Sequence, residues 1–364
     1  KGEGMNFLEQ ELKKRKLPSL MTLSDGSQVQ TAQDWEIRRG EIETILSRDF
    51  LGYAVRLGVK TTCETVRVEE HSYGGKAVTE YRELHVRSDF SEGMFPFTLT
   101  LPKGKKKVPV FFFLSFTHEI AGGIGEEILD QGYGIANVCY QDIAADYYDE
   151  HQTGLGRFCT RNPYDSWGKL KIWSWAVSRM LDVLLEDERI DEKKIAVMGH
   201  SRLGKTALVA GAFDSRFSLT VSCQSGAGGA ALFRGKSGEQ IENLYGKGSR
   251  LWFDGNFFQY LGKTEELPFD QHFLLALMAP RHLYVCSATE DAWADPPSEY
   301  LGCAAADPAW KCLGYKGFVG KDGYPEAGEA FHEGEIGYHL RKGTHYLSRE
   351  DWKLIIEYRN RHQV

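Results

Sequence analysis

The fold is decided by Lys194-Ile195-Ala196-Val197-Met198-Gly199-His200-Ser201-Arg202-Leu203-Gly204-Lys205-Thr206-Ala207-Leu208. Apolar residues lead into Gly199, and good helix formers follow Ser201. This run predicts a buried strand, a sharp corner and a helix, with the serine at the tip of the corner. Gly199 and Gly204 let the strand and the helix pass close to one another. The common pattern is Gly-x-Ser-x-Gly, and here the second glycine comes one residue late.

Strands and helices alternate on both sides of this corner. Residues 108–114 are a continuous apolar run, as expected of a central parallel strand that is covered on both faces. A helix with Leu170, Trp173 and Val177 on one face leads to the corner. Alternating runs between residues 57 and 101 predict antiparallel strands. The sequence therefore predicts an α/β fold: an α/β-hydrolase three-layer sandwich with a mostly parallel central sheet and antiparallel N-terminal strands.

The domain organisation follows from the same patterns. Residues 1–50 are predicted to be a helical arm that packs on the core, and residues 51–364 to be the catalytic domain. A Gly-rich, aromatic insertion is predicted at about 225–265. The chain has 364 residues, 42% of them hydrophobic, which suffices for one large core.

Composition and charge also limit the classes of binding partner that the protein can have. No apolar run is long enough to span a bilayer, so no membrane partner is expected. The net charge is −7 and no basic stripe is present, which makes nucleic acid an unsuitable partner. No signal peptide is visible at Lys1, which we do not take as evidence for a cytoplasmic protein.

The cysteines predict neither a zinc site nor a complete disulfide framework. There are seven, scattered and without Cys-x-x-Cys spacing. Cys139, Cys223 and Cys286 fall in predicted buried strands and are interpreted as core thiols. Cys303 and Cys312 lie in a region interpreted as loop-rich, and they are the one pair considered for a disulfide.

The predicted fold carries its catalytic residues in the chain order nucleophile, acid, histidine. A serine hydroxyl needs an imidazole to take its proton and a carboxylate to orient that imidazole. Of eleven histidines, His345 follows the last predicted strand, in the loop before the closing helix. His339 lies inside that strand and His332 before it. Ser201 and His345 are therefore the predicted nucleophile and base.

The acid is expected after the strand that ends at Ala288. Asp291 lies three residues beyond Ala288, which is the usual reach, and is preferred. Glu290 and Asp295 remain alternatives, although Asp295 before a proline suits a turn. In some hydrolases the acid follows the preceding strand, where this chain has Gln224, an uncharged residue.

The tetrahedral intermediate needs donors aimed at its oxyanion. The backbone N–H of Arg202, directly after the nucleophile, is in place for this role. A second donor is expected from the loop at residues 116–118 or from the Arg202 side chain.

Six sequence blocks together resemble the glucuronoyl esterases, and specifically their bacterial branch. The resemblance covers roughly residues 95–360. The blocks are Gly-His-Ser-Arg-Leu-Gly-Lys at 199–205, Ser-Gly-Ala-Gly-Gly-Ala at 225–230, Leu-Pro-Phe-Asp-Gln-His at 267–272, Ala-Pro-Arg at 279–281, Glu-Asp-Ala-Trp-Ala-Asp-Pro at 290–296 and Gly-Tyr-His at 337–339. The resemblance implies a serine esterase that cleaves the ester between 4-O-methyl-glucuronic acid on glucuronoxylan and lignin alcohols, with no metal and no cofactor.

Residue roles follow from the resemblance. It implies that Ser201 is the nucleophile, His345 the base and Arg202 an oxyanion stabiliser through side chain and backbone. It also implies that Lys205, Glu239 and Trp293 bind the sugar. A cation in the first turn of a helix is unfavourable, which independently suggests a purpose for Lys205, and an indole suits a sugar face. A monomer that is secreted or periplasmic is expected.

The chain departs from the fungal pattern of this family at two positions. His200 replaces a disulfide-forming cysteine, and Gln224 replaces the fungal acid. Bacterial members often supply the acid from the later loop, which agrees with Asp291. Two alternatives remain: an esterase for acetyl or cinnamoyl groups on xylan, and a weakly active relative that binds uronic-acid polysaccharide. A serine peptidase is less favoured, because nothing in the sequence suggests a peptide groove.

Overall fold

The computed structural model describes residues 5–54, 58–159, 162 and 164–364. Its centre is one sheet of ten strands, in the order β1-β2-β3-β5-β4-β6-β7-β8-β10-β9. The strands are β1 Lys60–Ser72, β2 Ala77–Arg87, β3 Glu92–Pro102, β4 Val108–Ser115, β5 Gly134–Cys139, β6 Ile190–His200, β7 Leu219–Cys223, β8 His282–Ala288, β9 Ala330–Phe331 and β10 Ile336–Arg341.

Helices connect these strands and cover both faces of the sheet. In the described residues they are α1 Phe7–Arg15, α2 Ala32–Leu46, α3 Gly122–Asp130, α4 Tyr140–Ile143, α5 Lys169–Leu184, α6 Arg202–Phe213, α7 Ile241–Leu244, α8 Gln271–Ala276, α9 Pro296–Cys312 and α10 Arg349–His362. No helix in the described ranges is long and apolar enough to cross a membrane.

The pairing of the strands confirms the predicted sheet. Strands β1, β2, β3 and β5 pair antiparallel, and β5, β4, β6, β7, β8 and β10 pair parallel. Every residue of β4 is buried, as the continuous apolar run predicts. One face carries a core with residues from α3 and α10, and the other a larger core that includes α5, α6, α8 and α9. The three layers put the carboxyl ends of the parallel strands along one edge.

Residues 5–50 pack on this body through aromatic and aliphatic side chains. Trp35, Ile42 and Leu46 of α2 are fully buried. The ring of Phe50 lies 5.0 Å from the ring of Phe253, within the segment at 225–265. The N-terminal segment and this segment therefore share one hydrophobic core.

The interpretation of the region around Cys303 and Cys312 as loop-rich was wrong, and so was the suggested Cys303–Cys312 bond. Both residues lie on α9, and both thiols are free. They are nine positions apart on the helix, about 13.5 Å along its axis, far beyond the reach of a disulfide. Pro308 lies inside this helix, and a proline is typical of a helix end in a sequence. Burial of Trp310 and its neighbours nevertheless stabilises the helix on both sides of Pro308. Cys139, Cys223 and Cys286 are buried strand thiols, as predicted.

Candidate active site

Ser201 occupies the sharp corner between β6 and α6. Its backbone has φ 57° and ψ −126°, a conformation that a residue with a Cβ seldom adopts. The hydrogen bond from Ser201 N to Cys223 O, 2.8 Å long, holds it there. A Cβ at Gly199 would lie 2.2 Å from Leu203 O, so only glycine fits before the corner. Strain supported in this way projects the hydroxyl beyond the end of the sheet.

The structure brings Ser201, His345 and Asp291 together. His345 Nε2 lies 3.0 Å from Ser201 Oγ, and His345 Nδ1 lies 2.7 Å from Asp291 Oδ2. The Asp291 side chain is 3% exposed, whereas the His345 side chain is 42% exposed. The imidazole therefore links a solvent-accessible hydroxyl to a buried carboxylate, which is the arrangement that base-assisted attack by serine requires.

The loops that carry the acid and the histidine are joined by backbone hydrogen bonds. Thr289 N donates to Arg341 O at 3.0 Å and Glu290 N to Gly343 O at 2.8 Å. Gly343 N in turn donates to Thr289 Oγ1 at 3.1 Å. Because these bonds fix one loop against the other, the separation of Asp291 and His345 is set by the backbone.

The two alternative acids have other surroundings. Glu290 is exposed. Asp295 is buried, and its carboxylate accepts from Ser237 N at 3.0 Å and from the Ser298 hydroxyl. Among the described residues, Asp291 is the carboxylate that hydrogen-bonds His345.

A buried arginine supports the histidine loop from below. The Arg341 guanidinium donates to Lys342 O at 3.1 Å, to Thr344 O at 2.9 Å and to Tyr346 O. Its Nε donates to Asp351 Oδ2 at 2.8 Å. Three carbonyls around His345 are thus satisfied by one side chain. Sequence reasoning missed Arg341, for which the only signal was a cation ending the strand before the histidine loop.

Asp351 connects this arginine to a second histidine. Its carboxylate also accepts from the backbone N–H of Ser348, the N-cap residue of α10, and pairs with His339 Nε2 at 2.7 Å. His339 Nδ1 lies 2.9 Å from the Tyr284 hydroxyl. Burial would raise the pKa of Asp351, but the bonds from His339, Ser348 and Arg341 outweigh it and lower the pKa.

Arg202 begins α6 directly after Ser201. Its Nη1 donates to Asp146 Oδ2 at 2.6 Å, and the same carboxyl group accepts from Trp252 Nε1 at 2.8 Å. The Nε atom of Arg202 is buried and has no hydrogen-bond partner among the described residues. Its backbone N–H lies in the first turn, where no intrahelical acceptor exists. Sequence reasoning missed Asp146 and Trp252, which lie in irregular segments and are far apart in the chain.

Lys205 and Glu239 lie together in the structure. Lys205 is 4% exposed, its Nζ donates to Ser225 O at 2.6 Å, and Glu239 Oε2 lies 3.7 Å away. Burial lowers the pKa of Lys205, and the charge of Glu239 opposes that effect. Glu239 N donates to Trp293 O at 3.0 Å. Trp293 is 54% exposed, so its indole is not part of the core.

His200 and Gln224 stand at the two positions that depart from the fungal pattern. The ring of His200 lies 4.6 Å from the ring of His345. Burial, reinforced by His345, lowers the pKa of His200 to about 4, so that His200 is neutral at pH 7. Gln224 is buried with φ 44°, directly after β7.

The family model for fungal glucuronyl esterase matches residues 84–314. The chain belongs to the glucuronoyl esterase family. It is a carboxylic ester hydrolase with an α/β-hydrolase fold, as the sequence blocks predict.

Relatives of this esterase can be aligned with most of the chain. A carbohydrate esterase from an unknown prokaryotic organism is 33% identical, over 99% of this chain and 93% of its own length. A 4-O-methyl-glucuronoyl methylesterase from Schizophyllum commune is 30% identical, over 82% of this chain and 74% of its own. The structure of a glucuronoyl esterase from Solibacter usitatus superposes with a TM-score of 0.84 at 33% identity, covering 95% of this chain and 97% of that one.

Side chains of metal-binding type also cluster in this esterase. Within the described residues such groups are His118, Cys139 and Asp142; Cys286, His339 and Asp351; and Glu64, Glu83 and His85. None of the three includes Ser201, His345 or Asp291. The serine, histidine and acid thus form a separate group.

Proposed function

We propose that this esterase hydrolyses esters of 4-O-methyl-glucuronic acid, such as those joining glucuronoxylan to lignin alcohols, through an acyl-enzyme on Ser201. The observation that carries the proposal is the linked Ser201–His345–Asp291 chain at 3.0 and 2.7 Å. The relative from Schizophyllum commune bears the name of this activity.

The reaction has two halves. Ser201 Oγ attacks the uronoyl carbonyl while His345 Nε2 takes its proton, and Asp291 stabilises the resulting imidazolium. As the tetrahedral intermediate collapses, His345 gives the proton to the departing alcohol oxygen. Water then attacks the uronoyl ester of Ser201, again with His345 as base, and releases the free acid.

Arg202 is the proposed oxyanion stabiliser. Its backbone N–H stands at the start of α6, where the helix dipole also favours negative charge. Its buried Nε has no partner in the described residues, and the guanidinium carries further N–H donors besides Nη1. Asp146 holds Nη1 and so fixes the plane of the guanidinium. Donors fixed before the reaction stabilise the oxyanion without reorganisation.

Lys205, Glu239 and Trp293 are the proposed sugar-binding residues. A lysine ammonium has three donors, and one of them is given to Ser225 O. The others suit sugar hydroxyls, as do the acceptor oxygens of the Glu239 carboxylate. The exposed indole of Trp293 offers an apolar face for the ring.

The test is the release of acid from benzyl glucuronate by wild type, Ser201→Ala and Asp291→Asn. Loss in both variants supports the proposal. An active Asp291→Asn would move the acid to Glu290 or Asp295, and full turnover by Ser201→Ala would overturn the mechanism. An inert wild type that binds glucuronoxylan would favour a binding protein, and a preference for 4-nitrophenyl acetate would favour an acetyl esterase.

We also propose that the chain acts as a monomer outside the cytoplasm, secreted or in the periplasm. A polymeric glucuronoxylan is too large to cross a membrane unaided, so the esterase must meet it outside. Fractionation of the producing cells and light scattering of the pure protein test these points. Activity confined to the cytosol, or a stable dimer, would contradict them.

A further inference from the structure

Three side chains that can each supply a metal ligand meet beside the end of β5. The ligand atoms of His118, Cys139 and Asp142 all lie within 4.8 Å of one another. His118 Nε2 lies 2.7 Å from Asp142 Oδ2, and the Cys139 thiol donates to Phe116 O at 3.6 Å. An imidazole, a thiol and a carboxylate are the ligand types that zinc sites in proteins combine.

The parallel pairing of β4 with β5 brings these residues together. Ser115 and Cys139 are paired at the carboxyl ends of the two strands. His118 follows Ser115 after a short loop, and Asp142 lies in α4, which begins directly after Cys139. Two residues separate Cys139 from Asp142, a spacing that also separates ligands in structural zinc sites. Only one cysteine takes part, so the spacing of the cysteines alone did not indicate this cluster.

The backbone around His118 is held by hydrogen bonds before any ion binds. Asn137 Nδ2 donates to Thr117 O at 3.2 Å and to His118 O at 2.9 Å. The Thr117 hydroxyl donates to Glu119 O at 2.7 Å. The side chain of His118 is nevertheless 71% exposed, and that of Asp142 is 27% exposed. An ion can therefore reach a cluster whose backbone needs little reordering to bind it.

The other two clusters of metal-binding type are less suitable. In the cluster around His339, both ring nitrogens of that histidine are engaged and its side chain is fully buried. An ion could enter only by opening the core. The cluster of Glu64, Glu83 and His85 on β1 and β2 offers two carboxylates and an imidazole but no thiol.

We propose that His118, Cys139 and Asp142 form a binding site for one divalent transition-metal ion, and that zinc suits these ligands best. The thiol proton is released to solvent, and the thiolate, His118 Nε2 and a carboxylate oxygen of Asp142 coordinate the ion. Water takes the fourth position, for which the adjoining cavity of about 440 Å³ has room. The ion would tie the loop after β4 to α4. The site includes neither Ser201 nor His345, so the proposal does not rest on the proposed function.

Cobalt(II) absorption tests the ligands directly, because a thiolate bound to Co²⁺ gives an intense charge-transfer band in the near ultraviolet. The reduced protein is freed of metal with a chelator and then titrated with Co²⁺. We expect one Co²⁺ per chain with this band, and displacement of the band by Zn²⁺. Cys139→Ser should lose the band. His118→Ala should weaken Co²⁺ binding by about tenfold or more, since loss of a ligand costs at least as much as loss of a group that orients one.

Two control variants and a second cation separate this site from general binding of metal by surface groups. Cys312→Ser removes another partly exposed thiol, which donates to Thr31 O at 3.5 Å, and should leave the Co²⁺ band unchanged. His85→Ala removes the histidine of the cluster on β1 and β2 and should also leave the band unchanged. Mg²⁺ prefers oxygen ligands and should not displace Co²⁺.

Thermal unfolding measures binding independently of the absorption band. Zn²⁺ at about 100 times its Kd should raise the melting temperature of the wild type by about 4 °C, because it binds the folded chain. His118→Ala changes an exposed side chain and is expected to fold, and it should lose most of this rise. The melting curves without metal show whether each variant is folded.

Three results would overturn the proposal. They are a wild type without the thiolate band, a band that Cys139→Ser retains or Cys312→Ser loses, and a rise in melting temperature with Zn²⁺ that His118→Ala shares in full. None of these measurements depends on ester cleavage, so their failure is distinguishable from a failure of the proposed function.

Discussion

Two chains of hydroxyl, imidazole and carboxylate lie side by side in this esterase. In the first, His345 links Ser201 and Asp291 at 3.0 and 2.7 Å. In the second, His339 links Tyr284 and Asp351 at 2.9 and 2.7 Å. By distance alone the two are nearly the same.

Their surroundings differ in every respect that matters for chemistry. His345 is 42% exposed at its side chain, and its serine stands in a strained corner at the start of a helix. His339 and Asp351 are fully buried, and Arg341 balances the charge of the carboxylate. The difference teaches that the bonding pattern does not make a catalyst. Solvent access, a strained serine and nearby N–H donors mark the first chain as the candidate catalyst, and the buried second chain is interpreted as structural.

Replacement of each of the two histidines by glutamine should give the largest difference in kcat between the two chains. His345→Gln is expected to lower kcat by about 10⁴-fold or more, because no base remains to take the serine proton. His339→Gln, the matched change in the buried chain, should leave kcat within about tenfold and lower the melting temperature instead. Kinetics on benzyl glucuronate and thermal unfolding measure both. Equal losses of kcat in His345→Gln and His339→Gln would contradict the assignment of different roles to the two hydrogen-bonded chains.

The two carboxylates provide the next contrast. Asp291→Asn is expected to lower kcat by about 10⁴-fold, since an amide favours the wrong tautomer of His345. Asp351→Asn breaks a buried ion pair and should reduce the free energy of unfolding by about 3 kcal/mol. Denaturant unfolding alongside kinetics separates the effects. A catalytically inert but fully stable Asp351→Asn protein would contradict the assignment.

Arg341 joins the two chains, and its replacement should give an intermediate effect. Arg341→Lys keeps the charge but cannot reach three carbonyls, so His345 loses its fixed position and kcat should fall about tenfold with KM unchanged. Arg359→Lys is the control, because Arg359 is equally buried and donates to Val110 O and Lys194 O, away from the histidine loop. Both variants should melt earlier. A loss of kcat in both would show general destabilisation.

The smallest effect concerns acid stability. The pKa of folded His200 is about 4, below the value of about 6.5 in an unfolded chain. Between pH 4 and 6.5 the unfolded chain binds a proton at this histidine that the folded chain does not. The contribution of neutral His200 to the free energy of unfolding is therefore complete above pH 6.5 and is lost as the pH falls to 4. His200→Phe should therefore reduce the slope of unfolding free energy against pH by up to about 1.4 kcal/mol per unit. Denaturant unfolding from pH 4 to 8 measures this slope, and an unchanged slope would contradict the prediction.

Local patterns explain what the sequence could reveal. A buried apolar run, a glycine and a serine predict the corner at Ser201, because strand and helix signals are short-range. Asp291 and His345 were predicted to lie together because each follows a strand, and parallel strands bring such positions to one edge.

Long-range contacts explain what it could not reveal. Arg341 matters through carbonyls that no pattern marks, and Asp146 lies in a segment without periodicity. Helix α9 was missed because Pro308 is a helix breaker by local rules, while its burial against the sheet outweighs that rule.

The hydrogen bonds between the loops that carry Glu239 and Trp293 bear on how this esterase can be altered. Glu239 N donates to Trp293 O, Ser237 N donates to Asp295, and a Cβ at Gly238 would meet Trp293 O at 2.5 Å. Residues 236–239 and 291–295 thus behave as one unit, although about fifty residues separate them in the chain. Substitutions in the two segments should be non-additive, so libraries for new substrates should vary both segments together and treat a neutral single change as uninformative.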